Sequence, residues 1–204
     1  MGLLDGKVAI ITGASRGIGK AIAESFALHG AHVVITYKKE KDKAEELIAS
    51  LPGKKHICIQ SDVTIDGEAK AVIEKVICKF GALDIVINNA GMYINHPIAK
   101  IAFKEWQAAW STTLETNLIG PANICYYAAK YMMSVKRGKI INISSRGANR
   151  GEPNAPAYGA SKAGINAMSQ SLAIALAPHN VFVGVVAPGF VETDMAASSL
   201  KGKQ

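Results

Sequence analysis

The chain has 204 residues, of which 49% are hydrophobic and 19% charged, and its formal net charge is +7. This length fits a single domain, residues 1–204, with a sizeable buried core. No apolar run approaches the roughly 20 residues of a membrane-spanning helix, and the first residues lack the pattern of a signal peptide. These features exclude an integral membrane protein and predict a soluble cytoplasmic protein with no membrane partner.

The positive charge favours anionic partners in general, but much of it lies in two short stretches, 37–46 and 136–139, that are typical of solvated surfaces. The chain has no arginine-rich arm or basic segment with interleaved aromatic residues, so nucleic acid is not an expected partner. The cysteines, Cys58, Cys78 and Cys125, are far apart and are expected to be small buried residues. The five histidines lack metal-ligand spacing, so no metal site is predicted.

Apolar runs alternate with helical periods along the chain. Short Val- and Ile-rich runs predict strands, and apolar residues on one helical face predict helices between them. In chain order we expect strand 7–13, helix 17–29, strand 31–36, helix 40–50, strand 55–60, helix 66–80, strand 84–91, a helical region 103–135 broken near Pro121, strand 138–145, helix 157–177 and strand 181–189. Near-continuous Val/Ile strands are buried on both faces. The predicted fold class is therefore α/β, a doubly wound, mostly parallel Rossmann-type sheet with helices on both faces.

The sequence TGASRGIG, residues 12–19, joins the first predicted strand to the first helix. Gly13 permits a sharp turn, Gly17 lets the backbone approach a pyrophosphate, and Gly19 lets the helix pack closely on the sheet. The helix N-terminus adds free N–H groups and a partial positive charge. A glycine turn in this position predicts a dinucleotide-binding site, and a merely tight strand–helix turn is the alternative.

The sequence PAYGASKAG, residues 156–164, places Tyr158 and Lys162 on one face of a helix. A free tyrosine has a pKa near 10 and is a poor acid–base group at neutral pH. An ammonium about 5 Å away would stabilise the phenolate by about 3 kcal/mol at an effective dielectric of 20. In a partly desolvated pocket Lys162 is therefore expected to lower the pKa of Tyr158, although burial alone acts in the opposite direction.

Together these motifs resemble the short-chain dehydrogenase/reductase family. Further matches follow in the family's order: DV at 62–63, NNAG at 88–91, Asn117 in TNLIG, Ser145 in INISS and PGFVET at 188–193. The sequences of these motifs are most similar to those of bacterial 3-oxoacyl-(acyl carrier protein) reductases, although sugar, steroid and xenobiotic carbonyl reductases share most of them. The resemblance implies an oxidoreductase that acts on CH–OH groups and transfers a hydride between a nicotinamide and a ketone.

The resemblance also implies four catalytic residues. Tyr158 would give a proton to the carbonyl oxygen, and Ser145 would hydrogen-bond the same oxygen. Lys162 would hold the nicotinamide ribose and tune Tyr158, and Asn117 would keep a water in place that connects Lys162 to solvent. Ser144 is the alternative to Ser145, which has the family's usual spacing to Tyr158.

The end of the second strand distinguishes the two nicotinamide dinucleotides, because an acid there binds the free 2′-hydroxyl of NAD and repels a 2′-phosphate. This chain has Tyr37 and Lys38 there, and Arg16 in the glycine turn faces the same pocket. Two cations without an acid fit a phosphate, so the expected cofactor is NADP(H). A solvated loop lysine is the alternative interpretation of Lys38.

The resemblance extends to the residues around the cofactor. Asp62 is expected near the adenine amino group with Val63 against the ring. Asn89 is expected to stabilise the sheet by hydrogen bonds first and to contact the cofactor second. Thr193 would orient the nicotinamide. The expected cofactor-binding set is Gly13, Ser15, Arg16, Gly17, Ile18, Gly19, Tyr37, Lys38, Asp62, Val63, Asn89, Ala90, Gly91, Tyr158, Lys162, Pro188, Gly189, Val191 and Thr193.

Two expectations concern packing and chain length. Trp106 and Trp110, one helical turn apart, are expected to form a packing stripe rather than a substrate platform, and Gly184, where many relatives have Asn, to alter local packing. Relatives continue with a further helix and a seventh strand, so the chain is expected to be a truncated or partial version that leaves the sixth strand as an unprotected edge.

The substrate is predicted to be a small-molecule or acyl-carrier-protein-bound ketone, with 3-oxoacyl-(acyl carrier protein) reductase as the best hypothesis. Lys136, Arg137 and His179 could then form the docking surface for the acidic carrier. A reductase of sugar, steroid or small xenobiotic ketones and a non-catalytic NADP(H)-binding or scaffold protein remain as alternatives. The resemblance alone implies a homotetramer or homodimer through the helices at 117–135 and 157–177.

Overall fold

The computed structural model describes residues 2–65 and 67–193 and consists of alternating strands and helices. The elements are β1 Val8–Ile11, α1 Gly17–Leu28, β2 His32–Tyr37, α2 Lys41–Ser50, β3 Ile57–Gln60, α3 Glu68–Phe80, β4 Ile85–Asn88, α4 Phe103–Leu114, α5 Gly120–Ser134, β5 Gly138–Ile143, α6 Pro156–Leu176 and β6 Val181–Val186. A π-helical turn, Glu115–Ile119, joins α4 to α5, and 3₁₀ turns lie at Ile98–Lys100, Arg146–Ala148 and Ala177–His179. None of the helices in the described ranges is long and apolar enough to cross a bilayer.

The six strands form one parallel sheet in the order β3-β2-β1-β4-β5-β6. The predicted Rossmann-type fold class is confirmed. The order reverses between β1 and β4, so the carboxyl ends of these two strands bound the crevice where doubly wound sheets bind ligands. Within the described residues β6 pairs only with β5, and its Phe182 side chain is 60% exposed, as expected for a sheet edge.

Both faces of the sheet are covered, because successive side chains of a strand point to opposite faces. In β1, Val8 and Ile10 belong to a core shared with α3, α5 and α6, whereas Ala9 and Ile11 belong to a second core under α1 and α2. Burying each Val or Ile contributes about 1.5–3 kcal/mol. The near-continuous apolar strands in the sequence follow from this two-sided burial.

The predicted interruption of the long helical region lies slightly earlier than Pro121. The helix widens into the π-turn Glu115–Ile119, and α5 begins at Gly120 with Pro121 in its first turn. Proline cannot donate to a carbonyl of the preceding turn, and a locally widened helix accommodates the missing bond. The π-turn carries Asn117, which is buried.

The expectation that all three cysteines are buried is wrong for one of them. Cys125 is buried and Cys58 is half-buried, but Cys78 is exposed. The buried face of α3 is formed by Ala69, Val72, Ile73 and Val76. Cys78 follows Val76 by two positions, about 200° around the helix, and so faces solvent.

The close approach of α1 to the sheet depends on Gly19. A Cβ placed there would lie 2.4 Å from Asn89 Nδ2 and 2.8 Å from Ala14 Cα. Asn89 Nδ2 donates to the carbonyl oxygens of Thr12 and Gly13, so it cannot move without breaking both bonds. Gly19 is thus required for packing, as the sequence predicts.

We therefore expect Gly19→Ala to lower the free energy of unfolding by about 1–3 kcal/mol, the usual cost of overpacking a tight site. Gly151→Ala is the matched control, because a Cβ at Gly151 meets nothing within 4 Å. Urea unfolding of both variants measures the difference. Equal stability of the two variants would contradict the packing role.

Candidate active site

A cleft of about 930 Å³ opens at the carboxyl ends of the strands, from the glycine turn after β1 to the segment after β6. It is lined by every residue of the expected cofactor set except Gly19, which lies behind the turn. Of the four expected catalytic residues, Ser145, Tyr158 and Lys162 line it, and Asn117 lies one layer behind them. Residues spread over the chain from 13 to 193 thus meet in one crevice.

The turn between β1 and α1 has the features of an anion cradle. Gly13 and Gly17 have φ values of +62° and +57°, a region that favours glycine. A Cβ at Gly13 would lie 2.8 Å from Ala90 Cα. The helix α1 begins at Gly17, and Arg16 at its N-cap makes no side-chain capping bond to the first turn. The first backbone N–H groups of α1 therefore face the cleft at a helix N-terminus, which is suited to a pyrophosphate. The residues of this turn fit a dinucleotide.

The opposite end of the cleft lies where β2 and β3 finish. Asp62 Oδ1 accepts hydrogen bonds from the N–H and hydroxyl of Thr64 at 3.0 and 2.8 Å, and its Oδ2 pairs with Lys38. Burial raises the pKa of Asp62, but the hydrogen bonds from Lys38 and Thr64 outweigh it, and the net pKa lies below the ordinary value. The buried Ser61 hydroxyl, also in the cleft, finds no hydrogen-bond partner among the described residues, and an adenosine could supply one.

The ion pair between Lys38 and Asp62 is not evident from the sequence. Lys38 follows β2 and Asp62 follows β3, and these parallel neighbours end side by side. The positive charge of Lys38 is thus partly compensated by a carboxylate that the motif analysis assigned to adenine. A 2′-phosphate would have to share Lys38 with Asp62, while Arg16 and Lys39 line the same end of the cleft.

Ser145 and Tyr158 are joined at the centre of the cleft. Ser145 follows β5 by two positions and caps the 3₁₀ turn Arg146–Ala148, where its Oγ accepts the N–H of Gly147 at 3.1 Å. Its side chain lies close enough to the phenol of Tyr158 to lower the pKa of that phenol. The alternative, Ser144, is buried, and its hydroxyl donates to the carbonyl oxygen of Lys162 at 3.3 Å. The geometry thus favours Ser145 as the serine that faces a substrate.

Lys162 is 5% exposed, and its Nζ donates to the carbonyl oxygen of Ile143 at 2.8 Å. Nζ lies 5.8 Å from the centroid of the Tyr158 ring. Burial lowers the pKa of Lys162 to about 8. The two side chains therefore share one side of α6, as the sequence predicts.

The expected lowering of the Tyr158 pKa does not occur in this structure. Burial raises the pKa of Tyr158, the nearby carboxylate of Glu152 adds to the rise, and only the Ser145 hydrogen bond acts against it. Lys162 is not among the groups that shift the pKa of Tyr158, since its ammonium donates to a backbone carbonyl and is itself desolvated. Burial favours the neutral form of both groups.

Asn117 connects the segment after β4 to α6. Its Oδ1 accepts the N–H of Met92 at 2.8 Å, and its Nδ2 donates to Met92 O at 2.9 Å and Ser161 Oγ at 3.2 Å. Both amide donors are therefore used within the protein. A Cβ at Gly91 would lie 3.4 Å from Asn117 Oδ1 and 3.6 Å from Lys162 Nζ, so Gly91 keeps the space beside both groups open.

Several cleft residues were missed by motif reasoning. The ring of Tyr93 contacts Tyr158 edge to face with centroids 5.1 Å apart, and the Arg146 guanidinium lies 6.0 Å from the Phe190 ring centroid. Arg150 and Glu152 also line the cleft. All follow β4, β5 or β6, and the rule that ligands bind beyond the carboxyl ends of parallel strands could have identified these segments.

The proposed carrier-docking residues lie at the wrong end of the molecule. Lys136 and Arg137 precede β5 and His179 precedes β6, so they sit at the amino ends of the strands, opposite the cleft. Arg137 Nε also lies 3.5 Å from the carboxylate of Asp84. A carrier bound there would be separated from Tyr158 by the length of the sheet, about 20 Å for six residues.

Two further expectations concern the tryptophans and metal ligands. Trp106 and Trp110 are half-buried, contact each other with ring centroids 5.8 Å apart and do not line the cleft, as expected for packing residues. Across residues 2–65 and 67–193, no three His, Cys, Asp or Glu side chains are placed to hold a metal ion.

The parallel sheet, the glycine turn and the crevice at the reversal of strand order define a Rossmann-type dinucleotide-binding protein. The family described as short chain dehydrogenase matches residues 7–204. The 3-oxoacyl-[acyl-carrier-protein] reductases FabG of Staphylococcus aureus and Escherichia coli are each 37% identical over 191 residues, which is 93% and 94% of this chain and 76% of each relative.

A solved structure described as a putative short-chain alcohol dehydrogenase from Sinorhizobium meliloti superposes with a TM-score of 0.90 at 34% identity, covering 97% of this chain and 77% of that one. The chain belongs to the short-chain dehydrogenase/reductase family of oxidoreductases.

The buried ammonium of Lys162 makes a testable contribution to stability. Its pKa is about 8 in the folded protein and near 10.5 ordinarily, so the unfolded chain binds more protons between these values. The free energy of unfolding should therefore rise with pH from about 8 to 10.5, by up to about 3 kcal/mol, and the full penalty is present below pH 8.

We expect Lys162→Met to lack this dependence, so the stability difference between wild type and variant should change over this window. Urea unfolding at several pH values measures it, with Lys130→Met as control because Lys130 is exposed. A difference that stays constant between pH 8 and 10.5 would show that Lys162 is not desolvated in the fold.

Proposed function

We propose that this protein is an NADP(H)-dependent reductase that converts a ketone into a secondary alcohol. The observation that carries this proposal is the proximity of the Ser145 and Tyr158 hydroxyls beside buried Lys162, in a cleft that also contains the glycine turn. A dinucleotide held at that turn and a carbonyl held at the pair would occupy the two halves of one crevice. When bound, the reduced nicotinamide would supply the hydride.

The residues of the chain would manage the oxygen and its proton. The Gly147 N–H fixes Ser145 Oγ, so the serine hydroxyl is held in place to donate to a substrate carbonyl. Tyr158 has a raised pKa and is therefore protonated at neutral pH, which suits a proton donor in the reducing direction. Lys162 and Asn117 lie behind it, where a ribose hydroxyl and a water would continue the proton path.

For the substrate, we propose a 3-oxoacyl thioester on an acyl carrier protein. The relatives from S. aureus and E. coli are named as reductases of this kind of substrate. Arg146 and Arg150 are exposed at the cleft and supply positive charge beside Phe190, which suits an anionic carrier arm followed by an apolar chain. The enzyme would act in the cytoplasm as one NADP(H)-binding domain. It would assemble as a dimer or tetramer through α5 and α6, where Tyr126 and Ile174 are exposed.

A second candidate substrate is a hydroxylated ketone such as a sugar. Glu152 and Tyr93 border the Tyr158 phenol and could both hydrogen-bond additional hydroxyl groups. A ketone reductase assay with both substrate types distinguishes the two candidates. A 3-oxoacyl thioester has no such hydroxyl groups near the reacting carbon and could not use these contacts.

Tyr158→Phe removes only the phenolic hydroxyl. We expect kcat for acetoacetyl thioester reduction, followed by NADPH absorbance, to fall by about 10²–10⁴-fold, the usual contribution of a general acid. NADPH affinity, measured by fluorescence titration, should be retained. Tyr127→Phe is the control, since Tyr127 packs against the core away from the cleft. Wild-type turnover of sugar ketones alone would favour the second candidate, and binding without turnover of any ketone would refute an enzymatic role.

The charge near Lys38 should determine the choice of cofactor. We expect wild type to use NADPH more efficiently than NADH, and Lys38→Gln to reduce the ratio of the two kcat/KM values by about tenfold, the lower range for a hydrogen bond to a charged group. Lys70→Gln is the control, because Lys70 pairs with Glu74 on the exposed face of α3 and neither residue lines the cleft. Equal efficiency of wild type with the two cofactors would overturn the NADP(H) assignment.

A further inference from the structure

His96 lies outside the cleft but next to the helix that carries Tyr158. It follows β4 in the segment 89–97 and is 1% exposed. Its backbone N–H donates to the carbonyl oxygen of Asn154 at 2.7 Å, so it joins the segment after β4 to the one before α6. A histidine buried this completely must satisfy both ring nitrogens within the protein.

Both nitrogens do have partners. The N–H of Ala157 donates to His96 Nε2 at 3.2 Å, and Nδ1 lies 2.8 Å from the carbonyl oxygen of Ile94. A backbone N–H can only donate and a carbonyl can only accept, so Nε2 must carry the lone pair and Nδ1 the proton. The contacts therefore define a neutral imidazole in the Nδ1–H tautomer.

The bond to Ala157 replaces a missing helix cap. The first N–H groups of a helix need an acceptor, which an N-cap Ser, Thr, Asp or Asn usually supplies. The N-cap of α6 is Ala155, which has no such oxygen, and Pro156 has no N–H to satisfy. His96, 61 positions earlier in the chain, is the acceptor for the first turn.

This first turn carries the phenol. Tyr158 is the next residue after Ala157, and its own N–H donates to Ala155 O at 2.9 Å. Tyr93, three positions before His96, contacts the Tyr158 ring at 5.1 Å. On its other side the imidazole meets the Trp106 ring of α4 edge to face at 5.4 Å. The segment 93–96 thus touches both the backbone and the side chain of the turn that carries Tyr158.

We propose that His96 is a positioning residue that caps α6 through Nε2 and thereby holds the Tyr158 phenol in line with Ser145. This inference rests on the proposed function only for its kinetic consequence. The cap itself is a structural claim about the Ala157 amide and can be tested without a substrate.

The experiment compares His96→Leu, which keeps apolar volume but offers no acceptor, with His96→Gln, whose Oε1 can accept the Ala157 N–H. His29→Leu and His29→Gln are the matched controls, because the His29 side chain is exposed and hydrogen-bonds within its own helix, to Ser25 O. Amide hydrogen exchange at Ala157 should be slow in wild type and His96→Gln and much faster in His96→Leu. Nitrogen NMR of wild type should show a protonated Nδ1 and an unprotonated Nε2.

In the ketone reductase assay, His96→Leu should lose roughly 10²-fold in kcat, the effect of displacing a catalytic group by about 1 Å, with little change in NADPH affinity. His96→Gln should recover most of this loss. Equal losses for Leu and Gln, a protonated Nε2, or unchanged exchange at Ala157 in His96→Leu would each overturn the proposal.

If His96→Leu does not fold, the wild-type tautomer and the Gln variant still decide it. A wild type that reduces no ketone would refute the proposed function, while the exchange and NMR results would still decide the cap.

Discussion

The structure depends on a hydrogen-bonded brace where β1 and β4 end side by side. Thr12 Oγ1 accepts hydrogen bonds from the N–H groups of Asn89 and Ala90. Asn89 Nδ2 in turn donates to the carbonyl oxygens of Thr12 and Gly13. This brace fixes the glycine turn relative to the strand beside it, at the point where the strand order reverses. The cleft, its cradle and the approach of α1 all follow from that fixed junction, because any shift would leave buried backbone groups unpaired.

Desolvation governs the electrostatics above this junction. It raises the pKa of Tyr158 and lowers that of Lys162, so that burial favours the uncharged form of each. A phenol in such a site keeps its proton at neutral pH and can deliver it only where charge develops nearby. The same burial makes the hydrogen bonds of Ser145 and Asn117 stronger than they would be in water. The polar groups of the site are therefore held by one another and by the backbone.

The parts of the site that could be predicted from sequence are those in which a local pattern carries the geometry. The glycines of residues 12–19 and the pair Tyr158 and Lys162 are set by turn and helix periodicity, and the structure places them together in the cleft. The Lys38–Asp62 pair and the capping of Ala157 by His96 join residues 24 and 61 positions apart, and no local pattern encodes such contacts. The docking hypothesis for Lys136 and Arg137 failed for a related reason: charge is visible in a sequence, but the end of the sheet on which it lies depends on strand direction.

The sequence by itself determined the alternation of strands and helices, the two-sided burial of the sheet, the glycine turn and the family. These follow from periodicity, from backbone freedom at Gly13 and Gly17, and from the motif order. Only the tertiary structure decided which charges meet, at which end of the sheet they lie and in which direction the Tyr158 pKa moves. Those outcomes depend on how far water is excluded and on which distant backbone groups need partners, and both quantities exist only once the chain is packed.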